Sequence, residues 1–355
     1  YVFLSPYGGM LSVKYSKLKI FRLFKLLELP IMLVACISFY FEWVYLAVFS
    51  VLLMGTQSSL YSPSKYSLIR DIGGEEGVSF GSGVFEMMAF LGILIGTITA
   101  SFISDYYKFW ILSAFFIGLA LAGYLVTLQI KATELPEEQA GNQKMDPVRF
   151  LIDSYRFARD YYLVNSAVLG AASFWLIGSM LQMNLVIHTK HIYQASNSTT
   201  GLIMAIAAIG IAAGCWAAGK ISGKKVNKGL ILIGITGMIA SLLILTFVKP
   251  GIYLYAGLVF LTAFSGGIFQ IPNLTMIQNA GLGRKLGDMI AYLNLVTFVF
   301  ILAGSLLFSA TTGLFDQNSY LVFGVILGIC ILVGLYFLRK SPEYLTEMLK
   351  TLQIK

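Results

Sequence analysis

Apolar and polar positions in this chain are sorted into blocks. Ten apolar runs are long enough to cross a bilayer as helices, roughly 18–40, 43–61, 80–103, 109–128, 162–187, 201–221, 229–248, 252–272, 287–310 and 320–338, and an eleventh, 1–11, is partial. A hydrocarbon core takes about 20 apolar residues in helical form, and a helix satisfies its own backbone there. Each run therefore predicts one span. The longest polar break, 129–160, holds Glu134, Glu137, Glu138, Lys144 and Asp146, and then interleaves Phe150, Leu151, Tyr155 and Phe157 with Arg149, Arg156 and Arg159. That mixture predicts an amphipathic helix lying in the membrane interface. The break divides the chain into a bundle over 1–128, a linker over 129–160, a second bundle over 161–338 and a tail over 339–355. Four and a half spans precede the linker and six follow it. The expected architecture is an all-α membrane protein of two six-helix halves, lacking the first span and part of the second.

Composition agrees. Of 355 residues 57% are hydrophobic and 12% charged, with mean hydropathy +0.79. Soluble domains carry roughly 25% charged residues, so this chain has too little polar surface for a water-facing particle. The net charge of +8 is explained by where the bases fall, and no nucleic-acid partner is expected. If the linker is cytoplasmic, every Lys and Arg except Lys25, Lys108, Lys190 and Lys249 lies on the cytoplasmic side, as basic loops do in multi-pass inner-membrane proteins. The tail is then cytoplasmic too. Cys36, Cys215 and Cys330 lie inside apolar runs and form no metal or redox motif. No phosphate loop, nucleophile elbow or nucleotide fingerprint is present, so no enzyme activity and no cofactor are expected.

A repeat supports the two halves. GGMLSVKYSKLK at 8–19 closes a span on a basic loop, and GCWAAGKISGKK at 214–225 does the same in the same phase. SPSKYSLI at 62–69 matches IPNLTMIQ at 271–278, Pro63 against Pro272. Two similar halves fit parallel repeats about an axis normal to the membrane.

The polar residues inside apolar runs are the candidates for chemistry. Lys65 follows Pro63, which distorts a helix and frees a carbonyl. Its ammonium either meets a phosphate as a point charge or snorkels to the interface. Glu86 sits in an otherwise apolar span, where a carboxylate is protonated, paired or cavity-facing. Its candidate partners are Lys65 and Lys25. Lys25 and Glu28, three apart, fit a local ion pair. Gln182, Asn184 and Asn294 are amides that either bind a polar head or join helices; Gln270, Asn273 and Gln278 around Pro272 are the counterparts of the stretch at 62–69. His188 and His191 flank Lys190 at a span end and read as interfacial. Gly92 with Gly96, and Gly210 with Gly214, have the spacing of close helix contacts.

The stretch YSPSKYSLI at 61–69, followed by SGVFEMMAFLGILIG at 82–96, resembles the lysophospholipid transporter branch of the major facilitator superfamily. FKLLELP at 24–30, SFWLIG at 173–178, SGGIFQIPN at 265–273 and LGDMIAYLNL at 286–295 extend the resemblance over nearly the whole chain. It implies a carrier that flips lysophospholipids across the bacterial inner membrane by alternating access. Lys65, Tyr66, Glu86, Gln182, Asn184 and Asn294 would meet substrate, with membrane lipids around them. It places Gly9, Lys17 and Lys19 in the loop the superfamily uses for gating, and Pro63, Pro272, Lys25 and Glu28 in structural roles. Where that loop usually carries Asp four residues after its Gly, this chain has Val13. Where relatives can carry a base, it has Gln182. Two alternatives stand beside this reading: a proton-coupled exporter of amphipathic drugs or metabolites, or a transporter-like module of a fused lysolipid acyltransferase, whose linker the tail SPEYLTEMLKTLQIK resembles. An acyltransferase, separate or fused, is thus a candidate partner.

Overall fold

The computed structural model describes residues 3–105, 109–134, 147–315 and 318–353. Lys108, Glu137, Glu138, Lys144, Asp146 and Lys355 lie outside the described residues. Among the described residues every regular element is helical: α1 Ser5–Lys14, α2 Lys17–Tyr40, α3 Val44–Asp105, α4 Phe109–Gln129, α5 Pro147–Arg159, α6 Val164–His191, α7 Asn197–Ser222, α8 Gly229–Phe247, α9 Ile252–Gln278, a single 3₁₀ turn Gly283–Lys285, α10 Leu286–Leu314, α11 Ser319–Lys340 and α12 Pro342–Gln353. The ten long runs all became helix, with two of them joined in α3. Gly74, at φ 64°, breaks α3 into two arms, a conformation glycine takes without a Cβ penalty. Among the described residues eight helices are long and apolar enough to cross a membrane. The 24-residue α2, with Lys17, Lys19, Arg22, Lys25 and Glu28 in its first half, is not among them. The amphipathic helix expected in the linker is α5.

Backbone packing divides the chain into two compact units, and they do not coincide with the two sequence halves. The first is Tyr1–Gly74, Ile95–Asp160 and Gly281–Leu295; the second is Glu75–Leu94, Tyr161–Ala280 and Val296–Lys355. Each unit takes in one segment from the other half of the sequence.

In the first unit α2 packs along α4, and the two ends cap each other. Glu134, just past α4, accepts from Ser16 Oγ at 2.8 Å and from the backbone N–H groups of Lys17 at 2.6 Å and Leu18 at 3.1 Å. A carboxylate there satisfies orphan donors and opposes the helix dipole. In return Arg22 donates to the carbonyls of Thr127, Leu128 and Ile130 at the end of α4. Lys17 reaches Asp71 at 2.7 Å, with side chains only 3% and 12% exposed. A pair this dry leaves an uncompensated charge when one partner is removed, which costs about 3–5 kcal/mol. Lys17→Ala is therefore expected to destabilise the protein by that amount, and Lys17→Ala/Asp71→Ala by clearly less, in thermal unfolding of detergent-solubilised protein. Equal losses would show that the pair carries no coupling.

The second unit is organised by α9. Its glycine-rich face lies on α7, where a Cβ on Gly214 would come within 2.0 Å of the Phe264 carbonyl oxygen and one on Gly267 within 2.5 Å of that of Ile211. Such approaches replace the hydrophobic drive that lipid does not supply. Met238, Tyr255, Phe269, Phe323 and Phe337 fill the core among α8, α9 and α11. The tail helix α12 closes this unit at the start of α8. Glu347 accepts from the Lys228 N–H at 2.6 Å, Asn227 donates to Thr351 Oγ1 at 2.9 Å, and Gly229 gives the backbone of Met348 room to approach. Glu343 pairs with Lys228 Nζ, and that hydrogen bond holds its carboxyl below the usual carboxylate range. A depressed carboxylate contributes stability at neutral pH that fades as pH falls through its folded-state value. Glu134 capping the start of α2 and Glu347 capping the start of α8 are thus one device used twice.

Candidate functional site

In the first unit the site grows from Pro63. Without an N–H, Pro63 leaves the Ser59 carbonyl without its helical donor. Gly8 of α1 fits against that turn: a Cβ there would lie 2.8 Å from Ser59 O and 2.7 Å from Leu60 O. Two residues after Pro63, Lys65 is half-buried. Its Nζ lies 5.5 Å from the Tyr61 ring centre and 4.9 Å from that of Tyr66. Phe21 and Phe24 of α2 pack on Tyr61 at 5.8 and 6.3 Å, and Gln57 pins α2 by donating to the Phe24 carbonyl at 2.7 Å. Asn294 of α10 donates to Ser62 Oγ at 3.1 Å. Ser62 is three residues before Lys65 and shares its helix face. The structure therefore brings Lys65, Tyr66 and Asn294 to one face of α3, in an aromatic frame that stabilises a cation by about 0.5–2 kcal/mol.

The same unit accounts for the other first-half residues. Lys25 pairs with Glu28 at 2.7 Å and its stem faces Gly123 of α4. Lys19 is exposed and supplies the N–H that Ser16 Oγ accepts. Gly9 lies against α10, where a Cβ would meet Ala291 Cβ at 2.8 Å and Asp288 Oδ1 at 2.9 Å. Arg284 was read in the sequence only as a loop charge. It is 5% exposed and donates to the Val13 carbonyl from Nε at 3.1 Å and Nη2 at 2.7 Å, and from Nη2 to Tyr15 O at 2.8 Å.

In the second unit Glu86 is 5% exposed on α3. One turn before it, Gly83 crosses α7, and a Cβ there would lie 2.6 Å from Cys215 O and 2.9 Å from Gly219 Cα. One turn after it, Phe90 stacks on Trp175 of α6 at 6.2 Å. Ser82 donates to Gln278 Oε1 at 2.6 Å, so the counterpart amide of α9 meets α3. Asn273 turns back to its own helix at Phe269 O, 2.8 Å, and Gln270 is buried.

Gln182 and Asn184 are not brought together. Two residues apart is about 200° of helix: Gln182 is exposed, while Asn184 is buried and donates to Ser319 O at 3.0 Å. His188, one turn further along the Asn184 face, is not interfacial. It is fully buried, bonds Ser319 Oγ at 2.8 Å, and is surrounded by Tyr193, Tyr255, Tyr320 and Phe323. Only His191 is exposed. Gly210 and Gly214 pack on α9, whereas Gly92 and Gly96 have nothing within 4 Å and face outward. No group of His, Cys, Asp or Glu able to hold a metal is present among the described residues.

Comparison with known proteins places this geometry in a wider set. A family model described as Major Facilitator Superfamily matches residues 1–304. A protein of Pectobacterium carotovorum named lysophospholipid transporter LplT is 25% identical over 306 residues, 83% of this chain and 71% of its own length. One of the same name from Yersinia pestis is 24% identical over 283 residues, 79% and 67%. Among solved structures, the human organic anion transporter MFSD10 superposes with a TM-score of 0.77 at 14% identity, covering 94% of this chain and 80% of that one. The fucose:proton symporter FucP in its outward conformation gives 0.72 at 12%, with 96% and 87% covered.

Proposed function

The chain belongs to the major facilitator superfamily, and from that premise we propose that it carries lysophospholipids across the membrane it spans. The observation that carries this reading is the Lys65 frame. Lys65 is the sole Lys or Arg between 44 and 69, and it stands among Tyr61, Tyr66 and the Asn294–Ser62 bond. A lysophospholipid has one acyl chain and a phosphate head. The chain gains about 0.8 kcal/mol per CH₂ from apolar surroundings, while the head resists the bilayer centre as any charge does. A cation held by aromatic faces exchanges part of that contact for a phosphate oxygen, and a nearby amide takes an ester or glycerol oxygen. The relatives named lysophospholipid transporters support the same substrate class.

Transport on this reading is alternating access, with the basic loops and both ends of the linker on the cytoplasmic side of a bacterial inner membrane. Pro63 and Pro272 are the points where α3 and α9 bend without breaking a hydrogen bond that is already absent.

Uptake of labelled lysophosphatidylethanolamine into spheroplasts lacking their own transporter tests it. A hydrogen bond to a charged group is worth about 1.5–3 kcal/mol, so Lys65→Ala is expected to cut the initial rate roughly tenfold or more, and Lys65→Arg by less. Uptake should persist with a proton uncoupler. A rate unchanged in Lys65→Ala removes the phosphate role. Uptake abolished by the uncoupler moves the weight to a proton-coupled exporter with Glu86 as carrier.

A further inference from the structure

We propose that α12 is an in-plane membrane anchor whose leucine face is seated in the bilayer interface, beside anionic headgroups gathered by Arg339, Lys340 and Lys350. At about 100° per residue the helix has three faces. Tyr344, Glu347, Met348 and Thr351 point to one side, where Tyr344 is fully buried and the others meet the start of α8. Leu345, Leu349 and Leu352 fall within about 60° of arc on a second side and are 45%, 50% and 56% exposed. Thr346 and Lys350 mark a third, polar side.

Two observations identify what covers the leucines. The first is continuity. Leu332, Leu335 and Leu338 are exposed along α11, a membrane span, and only Ser341, in extended conformation, separates that helix from α12. The apolar line leaves the lipid-facing side of α11 and resumes on α12. The second is charge. From 338 to 352 the charged residues are Arg339, Lys340 and Lys350, all exposed and positive, and two acids, of which Glu343 keeps a side chain 43% exposed while it pairs with Lys228. Both acids, Glu343 and Glu347, are turned to Lys228. An apolar stripe with an excess of bases beside it matches an anionic leaflet. A related apolar line lies on α5, where Val148, Ile152 and Tyr155 are exposed beside Arg149, Arg156 and Arg159, although Asp153 is exposed there too and pairs with Arg149.

This inference does not depend on the cargo. The test uses the whole chain in phosphatidylcholine vesicles with added phosphatidylglycerol. Cys36, Cys215 and Cys330 are buried, so Leu349→Cys and Thr346→Cys can each be labelled with an environment-sensitive fluorophore. The label at 349 is expected to be blue-shifted, quenched by spin-labelled lipid and shielded from aqueous iodide, and the label at 346 the reverse. Spin-labelled phosphatidylglycerol should quench at 349 several-fold better than spin-labelled phosphatidylcholine, because each base near an anionic surface raises the local lipid roughly fivefold. Arg339→Gln/Lys340→Gln should erase most of that preference. Equal iodide access at 346 and 349 overturns the anchor. Shielding at 349 without lipid quenching also overturns it, in favour of a protein occupant such as an attached enzyme or a second copy.

Discussion

Replacing Arg284 with alanine is expected to cost about 3–5 kcal/mol of stability, the loss typical of a buried charged network. The guanidinium is nearly inaccessible, and three of its hydrogen bonds go to the carbonyls of Val13 and Tyr15. Val13 is in the last turn of α1, whose carbonyls have no intrahelical donor and carry the negative end of the helix dipole, and Tyr15 is the extended residue just past the helix. A buried cation is tolerated there because the dipole and three directed bonds replace its water. Arg284→Lys should restore less than half of the loss, since a point-like ammonium does not present the planar fork that spans two carbonyls. Thermal unfolding of the detergent-solubilised protein measures both. A loss below about 1 kcal/mol for Arg284→Ala would mean that water replaces the guanidinium freely, and the bond would then be incidental.

Arg284 also shows where sequence reading reaches its limit. The spans were legible because membrane helices need long apolar runs, and each predicted run is helical. Glu28 beside Lys25 was legible because the partners are three residues apart. Arg284 and Val13 are 271 positions apart, and the acceptors are carbonyls, which every residue has. Nothing in the side-chain pattern marks them. The Glu134 cap is hidden for the same reason, since two of its three donors are backbone N–H groups. Other placements follow from phase alone. Gln182 and Asn184 are two residues apart and so on opposite faces, and His188 is one turn from Asn184 on the inward face. The division into units was not legible. It depends on where Gly83 and Arg284 bring backbones together, and the run pattern describes helices without saying which of them touch.

Gly83→Leu is expected to abolish uptake while leaving the protein inserted in the membrane. The crossing of α3 over α7 is made by two glycines. A Cβ at 83 would lie 2.6 Å from Cys215 O and 2.9 Å from Gly219 Cα, and one at 219 would lie 3.0 Å from Ser79 O and 3.2 Å from Gly83 Cα. These neighbours are backbone atoms, so no rotamer change relieves the clash, and the helices must separate. Each span still satisfies its own hydrogen bonds in lipid, which is why insertion survives while packing does not. The crossing joins a helix of the first sequence half to one of the second, and a carrier that rocks its halves must close such contacts in part of its cycle. Cys215, fully buried in the wild type, reports the result directly. Its alkylation by a membrane-permeant maleimide should rise about tenfold or more in Gly83→Leu and in Gly219→Leu. Gly92→Leu and Gly96→Leu, with nothing within 4 Å, should leave both alkylation and uptake unchanged. If Cys215 stays protected in Gly83→Leu while uptake is lost, the leucine acts by a route other than opening the crossing. If uptake is normal, α3 and α7 do not need to meet at all.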